Sequence, residues 1–600
     1  MTATALPDHA AIVSSISPVD ASRRRGFLYP LPCDAAVLEQ HHRDEHLMRS
    51  LARLFLAAPL IASGPALALD PSKVPSVTLG AGSNGDGSSL SAKANGATSS
   101  QTFGAWLSSV ILGVPTVGGL RTYPTAILFN GAVIHVGGYN TFGDGGNGTY
   151  RWASTSTAAD DGMLVIAPTG NAGAGRWLRQ WDGALSIQAA GAVCDGSTDA
   201  SFAAQRVVTA LGPTGGRLIV PAGASCRVGL TWTSGRRLVI EGQGQSSTLM
   251  PASPTGTILA ATNGTTQFRD LIVYSPNGYS TAGWLFDLSG GTHSLTNVYF
   301  AGGYDLVRFG NACRNCGASD IVVDGPKRNG FWVDVSPPTG QQYGIVTFAR
   351  MKLQADSSNV GDGLTLVSGD TVWVSDSNFA GFNRGVVAKT SATRGYLANL
   401  FFNAVSADGA GGPDNSSDGW VFDGTAKTLT RINFINPWAA FMGGRGMYFK
   451  NVSDIDMTAA RVIVNGRNGI ELDTGVRAFK MIGGTVAGNS RIFPNKFNGI
   501  QALAGANNLT FAYVRSGPAH TGVDESQSDS QVCGLSISST SITDYRVESG
   551  DFRGNLAGPG GGAPPYGLCD GGGGTAAPAG AALTNATKFV FGNRNGAYTP

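Results

Sequence analysis

The first candidate chemistry lies on a repeating turn. A Gly followed by apolar-x-apolar recurs as Gly330-Phe-Trp-Val-Asp334, Gly363-Leu-Thr-Leu-Val367, Gly385-Val-Val-Ala-Lys389, Gly419-Trp-Val-Phe-Asp423, Gly446-Met-Tyr-Phe-Lys450 and Gly469-Ile-Glu-Leu-Asp473, and closes at Gly499-Ile500-Gln501-Ala502. The residue before each Gly makes a series: Asn329, Asp362, Arg384, Asp418, Arg445, Asn468, Asn498. If each repeat is one coil of a stack, Asp362 and Asp418 stand two coils apart, about 9–10 Å. That is near the upper end of the separation an inverting glycosidase uses to fit a water beside its general base. Asp362 and Asp418 are therefore the candidate catalytic pair, both open to a groove. Arg384 between them would bind an acidic sugar or keep one Asp ionised. Four residues after each Gly, Asp334, Lys389, Asp423, Lys450 and Asp473 form a second series beside Trp332 and Tyr448. Aromatic faces next to charged groups suit a sugar, whose ring has apolar faces and whose hydroxyls need partners. Candidate substrate-binding residues are Arg384, Trp332, Asp334, Lys389, Asp423, Tyr448 and Lys450. The plainer alternative is that Asp-Gly and Asn-Gly are turn pairs, and that alternating Asp and Arg only balances charge.

Other chemistry finds less support. His293 and His520 are isolated, and no cluster of Asp residues demands calcium. Asp160-Asp161-Gly reads as a turn between strands. Cys313-Arg-Asn-Cys316 has the spacing of half a zinc site without a second pair nearby, which leaves a local disulfide or two thiols. Cys194 and Cys226 flank one strand–helix–strand unit and are expected to form a disulfide or lie adjacent. No metal and no cofactor is expected.

The elements that position these residues follow from composition and period. The chain has 600 residues, 86 of them Gly and only six Glu, with 42% hydrophobic and 14% charged. Abundant Gly, Asn, Ser, Thr and Asp favour short strands and tight turns over long helices. A balance of 42 basic and 40 acidic residues lacks the excess of a nucleic-acid binder. The Gly marks recur at steps of 33, 22, 34, 27, 23 and 30 residues, which fits a coil of three short strands with loops of varying size. Apolar residues at +1 and +3 (Phe331 and Val333, Leu364 and Leu366, Trp420 and Phe422, Ile470 and Leu472) point inward, so +2 and +4 face outward. The fold class is all-β: a single-stranded right-handed parallel β-helix, preceded by a small β module. Its N-terminal end is capped by a short helix over Phe202–Leu211, with Thr198 or Asp199 as N-cap.

Residues 48–68 read as a secretory signal, with a basic start, an apolar run from Leu54 to Ile61 and Ala66-Leu67-Ala68 before the cut. The run is too short to span a bilayer. Residues 1–47 then read as a non-native or disordered extension, 69–102 as a linker and 103–181 as the small β module. Residues 182–555 read as the β-helix, and 556–600 as a Gly-rich loop with a terminal strand.

Two segments carry a family resemblance. Gly191-Ala-Val-Cys-Asp-Gly-Ser-Thr-Asp-Ala200 and Gly215-Gly-Arg-Leu-Ile-Val-Pro-Ala-Gly223 resemble the opening signature of the pectate-lyase superfamily, seen also in rhamnogalacturonase-like and epimerase-like β-helices. Ala200 stands where that pattern has a second Asp. Leu120-Arg121, Gly143-Asp-Gly-Gly, Asp160-Asp-Gly and Gly175-Arg-Trp177 resemble the module preceding the β-helix in phage tailspike depolymerases. These resemblances imply fold more than chemistry. The Asn-x-Asp, Asp-Asp and His-Gly motifs of polygalacturonases do not sit on the coils. The leading expectation is a secreted, cell-surface or periplasmic enzyme acting on an acidic polysaccharide, as a glycoside hydrolase. The alternatives are a non-catalytic carbohydrate-binding or tailspike-like adhesion protein, and a polysaccharide lyase. The partner is a polysaccharide, with no nucleic acid and no membrane span; a homotrimer is what the tailspike resemblance implies.

Overall fold

The computed structural model describes residues 112–552 except 127, 277–282, 337–343, 357–360, 410–416, 493–495, 518–530, 540 and 543. Outside that span it describes only the strands Thr78–Gly80, Ser91–Lys93, Gln101–Thr102, Tyr566–Asp570 and Lys588–Phe591. The expected extension 1–47 and signal 48–68 lie outside the described residues. The chain divides into two units, 1–100 and 101–600. In the first, Thr78–Gly80 pairs antiparallel with Ser91–Lys93. Among the described residues no helix is long and apolar enough to cross a membrane.

In the second unit a five-stranded sheet comes first, in the order Leu112–Val114, Val133–Val136, Gly148–Ala153, Arg176–Gln180, Val165–Ile166. Alternation drives Ile134, Val136, Tyr150 and Trp152 to one side, where they bury with Leu120 and Trp177. Trp152 and Trp177 lie 5.0 Å apart. Asp161 accepts backbone N–H bonds from Met163, Leu164 and Val165 (2.8, 2.7 and 2.9 Å), and Asp160 pairs with Arg121. Both carboxylates build a turn.

The parallel β-helix follows. Its coils alternate a short strand with a long, bent one. The short strands, among them Phe331–Asp334, Asp362–Ser368, Arg384–Lys389, Asp418–Asp423, Met447–Lys450, Ile470–Leu472 and Ile500–Ala502, pair in parallel as one sheet. The long strands, among them Ile345–Gln354, Thr371–Ala380 and Leu397–Asp408, pair in parallel as another. Each long strand turns a corner at a residue with left-handed backbone. Asp270, Asn297, Asp320, Arg350, Asp376, Ala404, Asn436 and Ala459 occupy this corner on successive coils, with φ between 49° and 59°. Asp and Asn predominate because their short polar side chains tolerate this conformation best among residues with a Cβ. The bend divides the long strand into two outward faces, so each coil has three sides.

The Gly marks have a steric cause. Each Cα of the series packs against the glycine carbonyl of the next coil. A Cβ at Gly363, Gly419, Gly446 or Gly469 would meet that oxygen at 2.6 Å. Inside, positions +1 and +3 are fully buried in every repeat, and stacked rings fill the upper core, Phe422 on Phe449 at 5.2 Å and Phe402 on Phe434 at 5.2 Å.

The cap is the helix Ser201–Leu211, which buries Ala204, Val207, Val208 and Leu211 over the open end of the core. Its start differs from expectation. Ala200 is the N-cap, and the Asp199 carboxylate accepts the Ser201 N–H at 2.9 Å from one residue earlier. Thr198 instead donates its hydroxyl to Asp195 (2.8 Å). Phe202, read as part of the apolar face, is 80% exposed, because the inward stripe begins only at Ala204.

Disulfides join Cys194 to Cys226, Cys313 to Cys316 and Cys533 to Cys569, with Cα separations of 4.1, 6.2 and 6.1 Å. The first ties the strand before the capping helix to the strand after it. The last was not read from sequence, where the two cysteines lie 36 residues apart.

Candidate functional site

The register places Asp362, Arg384 and Asp418 on three successive coils at one turn position, Asp362 beside Arg384 and Arg384 beside Asp418. The side chains, however, form a ladder rather than an open pair. Arg384 grips Asp362 through Nε and Nη2 (2.7 and 3.0 Å), and Thr365 donates to the same carboxylate (2.9 Å). Asp418 accepts from the Arg445 backbone N–H (2.7 Å), Nε (3.2 Å) and Nη2 (2.8 Å). Two coils below Asp362, Asp305 pairs with Arg328 and accepts from Asn329 Nδ2 at 2.8 Å. Higher up, Asn468 and Asn498 continue the series by accepting backbone N–H bonds from Asn498 (2.7 Å) and Cys533 (3.1 Å).

This corrects the expectation that both carboxylates face a groove. The Asp362 and Asp418 side chains are 5% and 10% exposed. A general acid and a general base need unequal environments, and here each Asp has its own arginine. The series seals the turn. Buried carboxylates require partners, and the arginines of neighbouring coils supply them.

The binding candidates divide by height. Low on the short-strand face, Trp332 lies 6.1 Å from Trp284, and Asp334 is held by Arg394 (3.0 Å) and by the Ser368 hydroxyl (3.0 Å). Arg384 is committed to Asp362. Lys389, Asp423 and Lys450 stand in register on adjacent coils, and Asp423 also caps Thr425 through its backbone N–H (2.9 Å). Positions +2 do not all face solvent: Thr365, Val387 and Val421 are buried.

Above them the same face carries a dense polar cluster. Glu471 and Asp473 follow Gly469 at +2 and +4, Glu471 on the strand Ile470–Leu472 and Asp473 directly after it, so the alternation sends both outward with backbone positions about 7 Å apart. Glu471 accepts from Arg445 Nη1 (2.8 Å) and from Asn468 Nδ2 (2.6 Å). Asp473 accepts from the Tyr448 hydroxyl (2.6 Å) and the Thr474 backbone N–H (2.6 Å). The Arg445 guanidinium lies 3.7 Å over the Tyr448 ring. Gln501 extends the column upward, its Oε1 taking the second Asn468 proton at 2.7 Å.

Electrostatics mark the cluster as well. Burial and the bond to Asp473 push the Tyr448 phenol above its ordinary range, so it stays protonated as a donor. Burial works to raise the Asp473 carboxyl, but the bonds from Tyr448 and Thr474, with Lys450 nearby, outweigh it and hold it below the usual value. Burial likewise works against the Arg445 charge, and Asp418 and Glu471 more than compensate. Such coincident perturbations gather at functional sites.

Sequence reasoning reached Asp418, Tyr448 and Lys450 but passed over Glu471. Its signal was present: one of only six glutamates in the chain, at an outward +2 position. Among the described residues no three His, Cys, Asp or Glu side chains gather in a way that could hold a metal ion. His293 is buried and fully engaged, with Thr266 at 2.8 Å and the carbonyls of Ser289 and Gly290 at 3.2 and 2.8 Å.

A second feature lies beyond the corner, on the outer half of the long strands. There a groove of about 520 Å³ is lined by Tyr299, Asp324, Lys352, Gln354, Asn378 and Ser406 among others. Asp408 stands one coil above Ala380 at its edge, and burial raises its carboxyl above the ordinary value.

The family model of the phage tail protein small four-stranded β-sheet domain matches residues 113–182. No curated protein matches the chain. Among solved structures, the enzymatically active domain of bacteriophage CBA120 tailspike protein 2 is 15% identical, with a TM-score of 0.41 over 74% of this chain and 58% of that one. Tailspike gp49 of Acinetobacter baumannii bacteriophage Fri1, a capsular polysaccharide depolymerase, is 13% identical (TM-score 0.28; 74% and 72% covered). Pantoea stewartii WceF, a glycan biofilm modifying enzyme, is 15% identical (TM-score 0.33; 70% and 51% covered). The chain thus spans little more than half the length of the first and last of these. Residues 113–182 match a phage-tail module, and the parallel β-helix that follows is similar to those of tailspike proteins.

Proposed function

We propose that the protein binds and cleaves a polysaccharide on the outer face of the short-strand sheet, at the cluster of Arg445, Tyr448, Glu471 and Asp473. The observation that carries this reading is the pair Glu471, on the strand Ile470–Leu472, and Asp473, directly after it, each held by different partners. Backbone positions about 7 Å apart let two outward carboxyl groups come within the range that flanks a glycosidic bond with a water between them. Asp473, kept ionised, suits the base that activates the water. Glu471 is the remaining carboxyl, and in this reading it donates the proton to the leaving oxygen. Tyr448 offers a ring for a sugar face, and Lys450 and Gln501 extend the row of hydroxyl partners. In this reading the enzyme is a hydrolase that works outside the cell or at a surface.

A second reading, binding without cleavage, is favoured by the Arg445 clamp itself, which leaves no carboxyl of the cluster poised to donate a proton. One experiment separates them. The full chain is incubated with a panel of acidic and neutral polysaccharides, and reducing ends and ultraviolet absorbance are followed together. Reducing ends without new absorbance support hydrolysis, abolished in Glu471→Gln and Asp473→Asn. Absorbance from unsaturated products overturns hydrolysis in favour of a lyase. Binding with neither signal leaves the non-catalytic reading.

A further inference from the structure

The inner half of the long strands presents a third outward face, and one stretch of it breaks the pattern of the rest. Along a single outward column the register runs Ser294, Gly317, Thr347, Trp373, Phe401, Asn433, Asp456, Lys480. The upper members are polar or charged, as a solvated sheet face requires. Trp373 and Phe401 are not. Trp373 is 48% exposed, and its ring stacks on Phe401 with centroids 4.0 Å apart and planes 11° from parallel.

Directly below the ring, the small side chains of Ser294, Gly317 and Thr347 leave a notch of about 400 Å³. It spans three coils, about 10 Å between the outer two. None of its twelve lining residues is Asp, Glu, Lys or Arg. Ser294, Thr296, Asn315, Ser319 and Thr347 bring hydroxyls and an amide, while Ile345, 49% exposed, supplies an apolar flank. A stacked, half-exposed indole beside an uncharged pocket of hydroxyls and one amide matches a ligand with apolar ring faces, many hydroxyls and no charge.

We propose that this notch and the Trp373–Phe401 platform form a second saccharide-binding site, selective for uncharged sugars. A charged glycan would lose the solvation of its carboxylates there and find no cation among the described lining residues in return. A notch about 10 Å across offers far less surface than the roughly 800 Å² per partner that a stable protein interface buries, so a sugar is the committed occupant. The site shares no residue with the cluster at Arg445–Asp473, and it stands whether or not that cluster cleaves.

The test is calorimetric titration of the full chain with malto-, cello-, isomalto- and mannohexaose, and with hexagalacturonate as the charged comparison. At least one neutral hexaose is expected to bind. Its affinity should fall tenfold or more in Trp373→Ala and in Thr296→Arg, which sets a charge at the rim. Thr296 is exposed, so its variant keeps the fold should Trp373→Ala lose it. The proposal is overturned if no neutral hexaose binds, if binding survives both rim variants, or if hexagalacturonate binds the notch as well as the neutral probes. Concentration-dependent self-association that disappears in Trp373→Ala would overturn it in favour of a second copy of the chain as occupant.

Discussion

Replacing Arg445 by Met tests the idea that the turn series is a structural ladder. Arg445 makes two side-chain bonds to Asp418 (3.2 and 2.8 Å) and one to Glu471 (2.8 Å), and covers the Tyr448 ring. Glu471 would keep Asn468 as a partner. Asp418, with a side chain 10% exposed, would keep only the backbone N–H of residue 445. An ionised carboxylate stranded in this way costs about 3–5 kcal/mol, and the lost cation–π contact adds ~0.5–2 kcal/mol. Methionine returns part of this through its apolar volume, so the expected loss at neutral pH is about 3–4 kcal/mol, read as a lower midpoint in urea. Adding Asp418→Asn should recover most of it, since the amide still accepts the residue 445 N–H without carrying charge. A midpoint for Arg445→Met within about 1 kcal/mol of wild type, or no recovery in the double variant, would refute the ladder.

Further outcomes follow from the same geometry. Gly419→Ala drives a Cβ to 2.6 Å from the Gly446 carbonyl, which is backbone and cannot swing aside, so a loss of about 1–3 kcal/mol is expected in the urea midpoint. His293 has a folded pKa lowered by burial, so the unfolded chain binds its proton more readily. Stability should therefore fall as pH drops through about 6.5, and His293→Gln should remove that leg of the pH profile. Asp408 has the opposite sign: burial raises its folded pKa, so its ionised form is penalised near pH 7. Asp408→Asn should match or exceed wild-type thermal stability there, and a clear loss would show that its charge is used.

Much of the architecture was legible in the chain because one steric rule repeats. Wherever a glycine must sit under the next glycine's carbonyl, the sequence prints Gly, and the alternation after it prints the core. That was enough to align Asp362, Arg384 and Asp418 correctly on three coils. It could not say which way their side chains would turn. Arg384 reaches down to Asp362, and Asp418 is taken by Arg445 from above, choices that depend on local rotamers and burial rather than on register. The buried +2 positions Thr365, Val387 and Val421 escaped for the same reason, since alternation predicts a direction and not what lies over it. Glu471 was missed because attention went to the turn rather than to the strand beyond it. The Trp373–Phe401 stack lies on strands that carry no such mark, and two aromatic residues 28 positions apart announce no contact until the coils are in register.

The central claim is that Glu471 and Asp473 cleave a polysaccharide. The most direct measurement is reducing-end release by the full chain on a polysaccharide it binds, compared with Glu471→Gln and Asp473→Asn at matched folded concentration. The account predicts release by wild type and a loss of at least about a hundredfold in each variant, with binding retained. Undiminished release in both variants, or full activity that vanishes instead in Asp408→Asn, would contradict it.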